Sequence, residues 1–238
     1  MKKPRWKRIL LKLSGETLGG KDRLGLDVKA AAYIAQEIKD AKKLNIQIAI
    51  VIGGGNIVRG EKLSKIGVDR ATADYMGMLG TVINALALQN ALENVGLFTR
   101  VVSSLTMIEV AEPFIRRRAI RNLEKGRVVI FAGGTGSPYF TTDTAAALRA
   151  SEINADAILK ATNVKGIYDA DPDIKKGAKF FSEITPMEMV KKNLKVMDLT
   201  AITLAMENKI PVVVFNVFQK GNLKKLLLGK KIGSIVKV

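Results

Sequence analysis

The stretch Val128 to Ala150, VVIFAGGTGSPYFTTDTAAALRA, constrains the fold more than any other part of the chain. Val128-Val129-Ile130-Phe131 is a short apolar run, β-branched at its start and bounded by glycine, as a buried strand is. Gly133, Gly134, Gly136 and Pro138 then break the chain, and Thr141, Thr142 or Asp143 can cap the helix-forming run Thr144 to Ala150. Strand, glycine loop, polar cap and helix in that order turn free backbone N–H groups and the positive helix end toward the loop, which suits a phosphate. An ordinary βα turn has the same outline, so the weight lies in recurrence. Ile46 to Ile52 runs into Gly53-Gly54-Gly55-Asn56, and Arg8 to Leu13 runs into Ser14-Gly15-Glu16.

The rest of the chain keeps this rhythm. Asp27 caps a helix reaching about Leu44, a polar turn with Arg59-Gly60 follows the second strand, and a long helix covers Arg70 to Asn94. Phe98 to Ser103 is a strand, Pro113 to Glu124 a helix, and Ala155 to Ala161 a strand that opens into a loop from Asn163 to Pro172. Helices over Pro186 to Lys192, Leu199 to Lys209 and Asn222 to Leu228 alternate with strands over Pro211 to Phe215 and Ser234 to Val238. Alternation of this kind predicts an α/β fold around a largely parallel sheet. No linker composition and no repeat divides the 238 residues, so a single domain is expected.

Composition removes several chemistries. There is no histidine, so the usual general base and metal ligand are missing. There is no cysteine, which excludes thiolate catalysis and disulfides and fits a cytoplasmic protein. No apolar run reaches membrane-spanning length, so no membrane partner is expected. A formal charge of +17 points to polyanionic partners. The basic clusters Lys2–Arg8, Arg116–Arg121 and Lys224–Lys231 are scattered and barely interleaved with aromatics, which argues against a nucleic-acid stacking surface.

Familiar phosphate motifs fail. No Gly-Lys is followed by Ser or Thr as a P-loop requires, and neither Gly53-x-Gly55 nor Gly134-x-Gly136 completes a dinucleotide fingerprint. The protein-kinase set needs a histidine. What remains is Lys12-Leu13-Ser14-Gly15-Glu16, where Lys12 stands at the carboxyl end of the first strand. Ligands of open α/β sheets bind beyond those ends, so Lys12 can share a crevice with the loops at 53–56 and 133–137. There it would act as a point charge on a transferring phosphoryl group.

KLSGE at 12–16, GGGNxxRG at 53–60, DYMGML at 74–79, AGGTGSPYFTTDTAA at 132–146, KATNVKGIYDADP at 160–172 and VMDLTA at 196–201 together resemble the bacterial uridylate kinase branch of the amino acid kinase family. The resemblance runs in order over nearly the whole chain. It implies a three-layer αβα sandwich, with the N-terminal part mainly on the acceptor side and about 155–238 mainly on the ATP side. It implies transfer of a phosphoryl group from MgATP to UMP, in a homohexamer activated by GTP and inhibited by UTP.

Carried onto this chain, the resemblance puts Lys12, Leu13, Ser14 and Gly15 at the donor phosphates, with Gly54, Gly55 and Arg59 lining the channel between acceptor and donor. Asp74 would take the UMP ribose, and Thr135, Gly136, Ser137, Pro138, Tyr139, Phe140, Thr141 and Thr142 would wrap UMP. Asp143 would orient Lys12 and Lys160, while Thr162, Asn163, Tyr168 and Asp171 would hold ATP. GTP is expected near Gly20, Lys21, Asp22, Arg23, Leu24 and Gly25, with Arg100 and Arg127 on its phosphates. The chain departs from the pattern at Ser137, where asparagine is common, and at Asn163 and Lys165, where Lys and Asp are frequent. Which side chains, if any, meet Mg²⁺ is left open by the sequence. A family sibling with a carboxylate or carbamate acceptor, or a non-catalytic nucleic-acid binder, are the competing readings.

Overall fold

The computed structural model describes residues 3–59, 63, 65–172, 174–194 and 196–237. Lys2 of the first basic cluster, Gly60 of the turn after the second strand, and Val238 at the expected end of the last strand lie outside these residues. Among the described residues, nine strands form one sheet: β1 (Arg8–Leu13), β2 (Gln47–Ile52), β3 (Thr99–Ser103), β4 (Glu112–Pro113), β5 (Val128–Ala132), β6 (Ala157–Thr162), β9 (Glu183–Ile184), β10 (Val212–Asn216) and β11 (Ser234–Val236). Their order is β4-β3-β5-β2-β1-β6-β10-β11-β9, parallel throughout except between β10 and β11. A separate antiparallel pair joins β7 (Ile167–Tyr168) to β8 (Phe180–Phe181).

The sheet is buried on both faces, which explains why its central strands read as continuous apolar runs rather than alternating ones. Ile9, Leu11 and Leu13 of β1 face a layer made by α1 (Val28–Lys42), α2 (Arg70–Asn94) and α7 (Asn222–Leu227). Leu10 and its neighbours face α3 (Arg116–Glu124), α4 (Thr142–Glu152), α5 (Pro186–Lys191) and α6 (Leu199–Glu207). The result is the expected αβα sandwich, and the bounds of α2 coincide with those expected.

Two expected elements take another form, and two short strands, β8 and β9, stand where no element was expected. Glu112–Pro113 is not the start of a helix but the edge strand β4, paired with Val102 and Ser103. Proline has no N–H for a ladder and is accommodated at a sheet edge, while the extended Ile115 delays the helix to Arg116. The loop expected from Asn163 to Pro172 holds the hairpin strand β7, whose two residues are too few to show a period.

Close backbone approach sets the site's floor. A Cβ on Gly54 would stand 2.4 Å from the Gly77 carbonyl oxygen and 2.8 Å from the Thr81 nitrogen, so α2 lies directly against the turn after β2. The turn is further held by Asn84, whose amide and that of the buried Asn56 exchange hydrogen bonds at 3.0 and 2.6 Å. Gly54→Ala is expected to force α2 and the turn apart and to cost about 1–3 kcal/mol, as overpacking does. Urea denaturation checks this, and an unchanged midpoint would mean that the turn can move freely.

Candidate active site

β1 and β6 are central neighbours, and their register sets Lys12 directly beside Lys160. Two ammonium groups side by side on adjacent strands repel, and both are largely withdrawn from water. The carboxylate of Asp143, in the first turn of α4, lies between them. Lys12 Nζ stands 2.7 Å from Oδ1 and Lys160 Nζ 2.6 Å from Oδ2. Both contacts are ion pairs within the buried part of the site. Lys160 also donates to the Val196 carbonyl.

Burial by itself would raise the Asp143 carboxyl, but the charges of Lys12 and then Lys160 outweigh it and hold the group below the ordinary carboxylate range. Burial, followed by the charge of Lys12, lowers Lys160 below an ordinary lysine, with Asp143 opposing. Asp143 is therefore ionised at neutral pH and poorly suited to accept a proton. Its geometry is that of an organiser of two cations.

The helix carrying Asp143 is anchored at its start. Of the three candidate caps, Thr141 is the N-cap and accepts from the nitrogens of Asp143 and Thr144. Asp198, the N-cap of α6, accepts from the hydroxyls of Thr141 and Thr144 and ties the two helices together. Asp198 had only been part of a motif. Its place before the run Leu199–Glu207 is the capping signal that could have singled it out.

Beside a cleft of about 530 Å³ lined by Lys12, Asp143 and Lys160 themselves, with Met197 and Asp198, two further clefts open from this centre. The first, about 490 Å³, is lined by Lys12, Ser14, Gly15, Gly54, Gly55, Arg59, Asp74, Phe140, Thr141 and Thr142, and so collects residues from four separate stretches. Arg59 is held over it by Glu16 and by the Gly55 carbonyl. Asp74 accepts from the Tyr139 nitrogen at 2.8 Å and pairs with Arg70, which pins Tyr139 in a left-handed backbone conformation at φ 72°. Thr135 and Ser137 brace one another in the same loop, beside the positive-φ Gly136. Leu13 is fully buried in the sheet, so only its backbone can face a ligand.

A network absent from the sequence reading holds the glycine loop from behind. The Thr81 hydroxyl accepts from the Gly133 nitrogen, and the Ser104 hydroxyl donates to the Gly134 carbonyl. Ser104 accepts in turn from the buried Arg149, whose guanidinium lies 3.8 Å from the Phe114 ring centroid. Arg149 is on α4, so one helix carries both Asp143 and the strut that fixes the loop.

The second cleft, about 680 Å³, is lined by Lys160, Thr162, Asn163, Tyr168 and Asp171, with Arg23 at its edge. Tyr168 packs edge-on against Phe180 at 5.3 Å, so one ring face is left toward the cleft. Among the described residues no three acidic side chains gather into a metal cage, and Asp143 already holds two lysines.

The stretch Gly20 to Gly25 adjoins Asn56 at the carboxyl ends of the strands. Arg100 pairs with Glu112, and Arg127 donates to Asn122, toward the opposite ends of β3 and β5. Within one chain, these two groups are not brought together.

The fold and the paired lysines around a carboxylate are those of a phosphotransfer scaffold, and the amino acid kinase family model matches residues 7–216. The chain belongs to the amino acid kinase family. Among solved structures it is similar to UMP kinase from Bacillus anthracis, with 40% identity, a TM-score of 0.94, and coverage of 98% of this chain and 96% of that one. It is similar to UMP kinase from Ureaplasma parvum at 39% identity and TM-score 0.91, covering 98% and 100%. Uridylate kinase from Archaeoglobus fulgidus is more distant, at 27% identity and TM-score 0.73, covering 96% and 99%.

Because the folded carboxyl of Asp143 titrates below its unfolded value, its ionisation supports the fold at neutral pH, and that support is lost as pH falls through the folded value. Asp143→Asn should cost about 3–5 kcal/mol at pH 7, the usual loss when one member of a buried ion set is removed. The variant should also lose less stability than the parent on acidification. Denaturation curves across acid pH test both, and parallel pH profiles for the two proteins would contradict the assignment.

Proposed function

We propose that this chain is a UMP kinase, acting in the cytoplasm as one domain and reversibly transferring the γ-phosphoryl group of MgATP to UMP to give ADP and UDP. The observation that carries the reading is the Lys12–Asp143–Lys160 centre standing between two clefts of nucleotide size. Family membership and the similarity to solved UMP kinases support it.

In this reading UMP occupies the cleft with Asp74 and the loop 135–142, and ATP lies in the cleft with Thr162, Asn163, Tyr168 and Asp171. Mg²⁺ enters with the donor as part of the substrate. A phosphate oxygen of UMP attacks the γ-phosphorus as the bond to the β–γ bridging oxygen breaks, and the electron pair leaves with ADP. The attacking oxygen carries no proton at neutral pH, so no general base is needed and the lack of histidine is no handicap. Lys12 neutralises charge that develops on the transferring group, with Lys160 beside it, and Asp143 is the positioning residue that fixes both. The backbone of Ser14 and Gly15 and the Arg59 guanidinium complete the phosphate channel.

The same reading includes a homohexamer activated by GTP and inhibited by UTP. One face of α2 packs Met78, Val82 and Leu88 into the core, while Tyr75, Met76, Leu79 and Ile83 stay exposed along the other. A helix apolar on a second face is normally covered, and a second copy of the chain is the cover proposed here. Assembly would also allow Arg100 and Arg127 to meet groups that lie apart from them in one chain.

Measuring ADP formation with UMP, CMP, AMP and carbamate side by side tests the reaction. UMP should lead CMP in kcat/KM by about 10⁴, because the amino group of cytosine reverses the hydrogen-bond pattern of the uracil edge. Equal values for UMP and CMP would remove the uracil-specific reading, and turnover with carbamate alone would assign a sibling activity. Light scattering, followed by rates with GTP and with UTP, tests the assembly; a monomer would contradict it.

A further inference from the structure

A separate hollow, about 710 Å³, opens on the far side of the β7–β8 hairpin, against β10, β11 and α7. Five cations line it, Arg5, Lys165, Lys230, Lys231 and Lys237, against a single acid, Glu183. They come from four separate stretches of sequence, including two of the basic clusters for which the phosphotransfer reaction has no use. Glu183 pairs with Lys237 at 2.5 Å, and its carboxyl is held below the ordinary range by Lys237 first, with Lys231 and Arg5 adding to the effect. Apolar walls from Val213, Leu226 and Ile235 focus the field of the cations that Glu183 does not balance. Asn216 and Gln219 also line it, with the Asn216 amide held by Asn163 and Phe218.

Five exposed cations gathered round one hollow give it a positive field that favours an anion there. The volume exceeds what one small anion needs and suits a ligand of nucleotide size. We propose that this hollow binds a chain of phosphate groups, carried by a nucleoside polyphosphate or by inorganic polyphosphate, at a site separate from both clefts of the active centre.

The hollow and the second cleft share a wall. Tyr168 lines the cleft and Phe180 the hollow, with their rings edge to face at 5.3 Å. Ser234, fully buried, accepts from the Ile167 nitrogen at 2.8 Å and donates to the Phe181 carbonyl, which fastens both hairpin strands to β11. Lys165 Nζ lies 4.5 Å from the Phe180 ring centroid. A polyanion that draws in Lys165 therefore acts on the hairpin that bounds the second cleft. That consequence for ATP rests on the proposed function; the site itself does not.

The chain carries its own reporter. Trp6 is its only tryptophan, and the Arg5 guanidinium lies 4.5 Å from the ring centroid. Trp6 fluorescence of the full chain, titrated with inorganic tripolyphosphate, GTP and UTP in turn, should change saturably. K230Q/K231Q, which alters two exposed side chains, should weaken the midpoint about tenfold or more, since lysine–phosphate contacts are charge-assisted. Lys12→Ala, confined to the active centre, should leave it unchanged. Binding of tripolyphosphate as tight as that of GTP supports the site and assigns it to the phosphate chain alone. Binding of the nucleotides only supports it and adds recognition of the base. No saturable change, a midpoint indifferent to K230Q/K231Q, loss of the response in Lys12→Ala, or an equal response to sulfate would each overturn the proposal. None of these readouts depends on phosphoryl transfer.

Discussion

The structure turns on one electrostatic constraint, two lysines set side by side by the register of the two central strands. Lys12 and Lys160 are partners across β1 and β6, in a sheet closed on both faces. Burying either cation alone is costly, and burying both without a counter-charge is worse. Asp143 resolves the conflict with a contact to each, and the fold is arranged to bring it there. The cap at Thr141, the Asp198 staple and the Arg149 strut all fix the helix on which Asp143 stands.

The same arrangement suits the phosphate site proposed for it. One carboxylate against two ammonium groups leaves excess positive charge at the mouth of the central strands, where the glycine turns also end. A transferring phosphoryl group offers the missing negative charge, and offers more of it as the leaving and attacking oxygens share it. The depressed titration of Asp143 belongs with this role, since a carboxylate that must hold two cations cannot also collect a proton.

Much of this was legible in the chain, for reasons that can be stated. Long periodic or wholly apolar segments announce themselves, so the span Arg70–Asn94 and the central strands read correctly. The glycine turns at 53–55 and 133–136 and Lys12 at a strand end are local features, and the family resemblance added Asp143 and Lys160. The pairing of β1 with β6 joins residues nearly 150 positions apart, roughly the separation of Lys12 and Lys160 in sequence, and no local pattern encodes it. Asp198, Thr81, Ser104 and Arg149 escaped because their partners lie on other elements. The two-residue strands β4 and β7 are too short to carry a signal, and Pro113 reads as a helix start until its sheet edge is known.

In the proposed reaction Asp143 acts through the lysines rather than on the substrate. A double-mutant cycle in kcat with UMP as acceptor, using Lys12→Ala, Asp143→Asn and the two combined, tests it most directly. Each single change should lower kcat by about 10²–10³, the loss typical of one electrostatic stabiliser. The pair should cost less than the product of the single losses, because without Lys12 the carboxylate has only Lys160 left to position. Losses that multiply would contradict it and give Asp143 a role of its own.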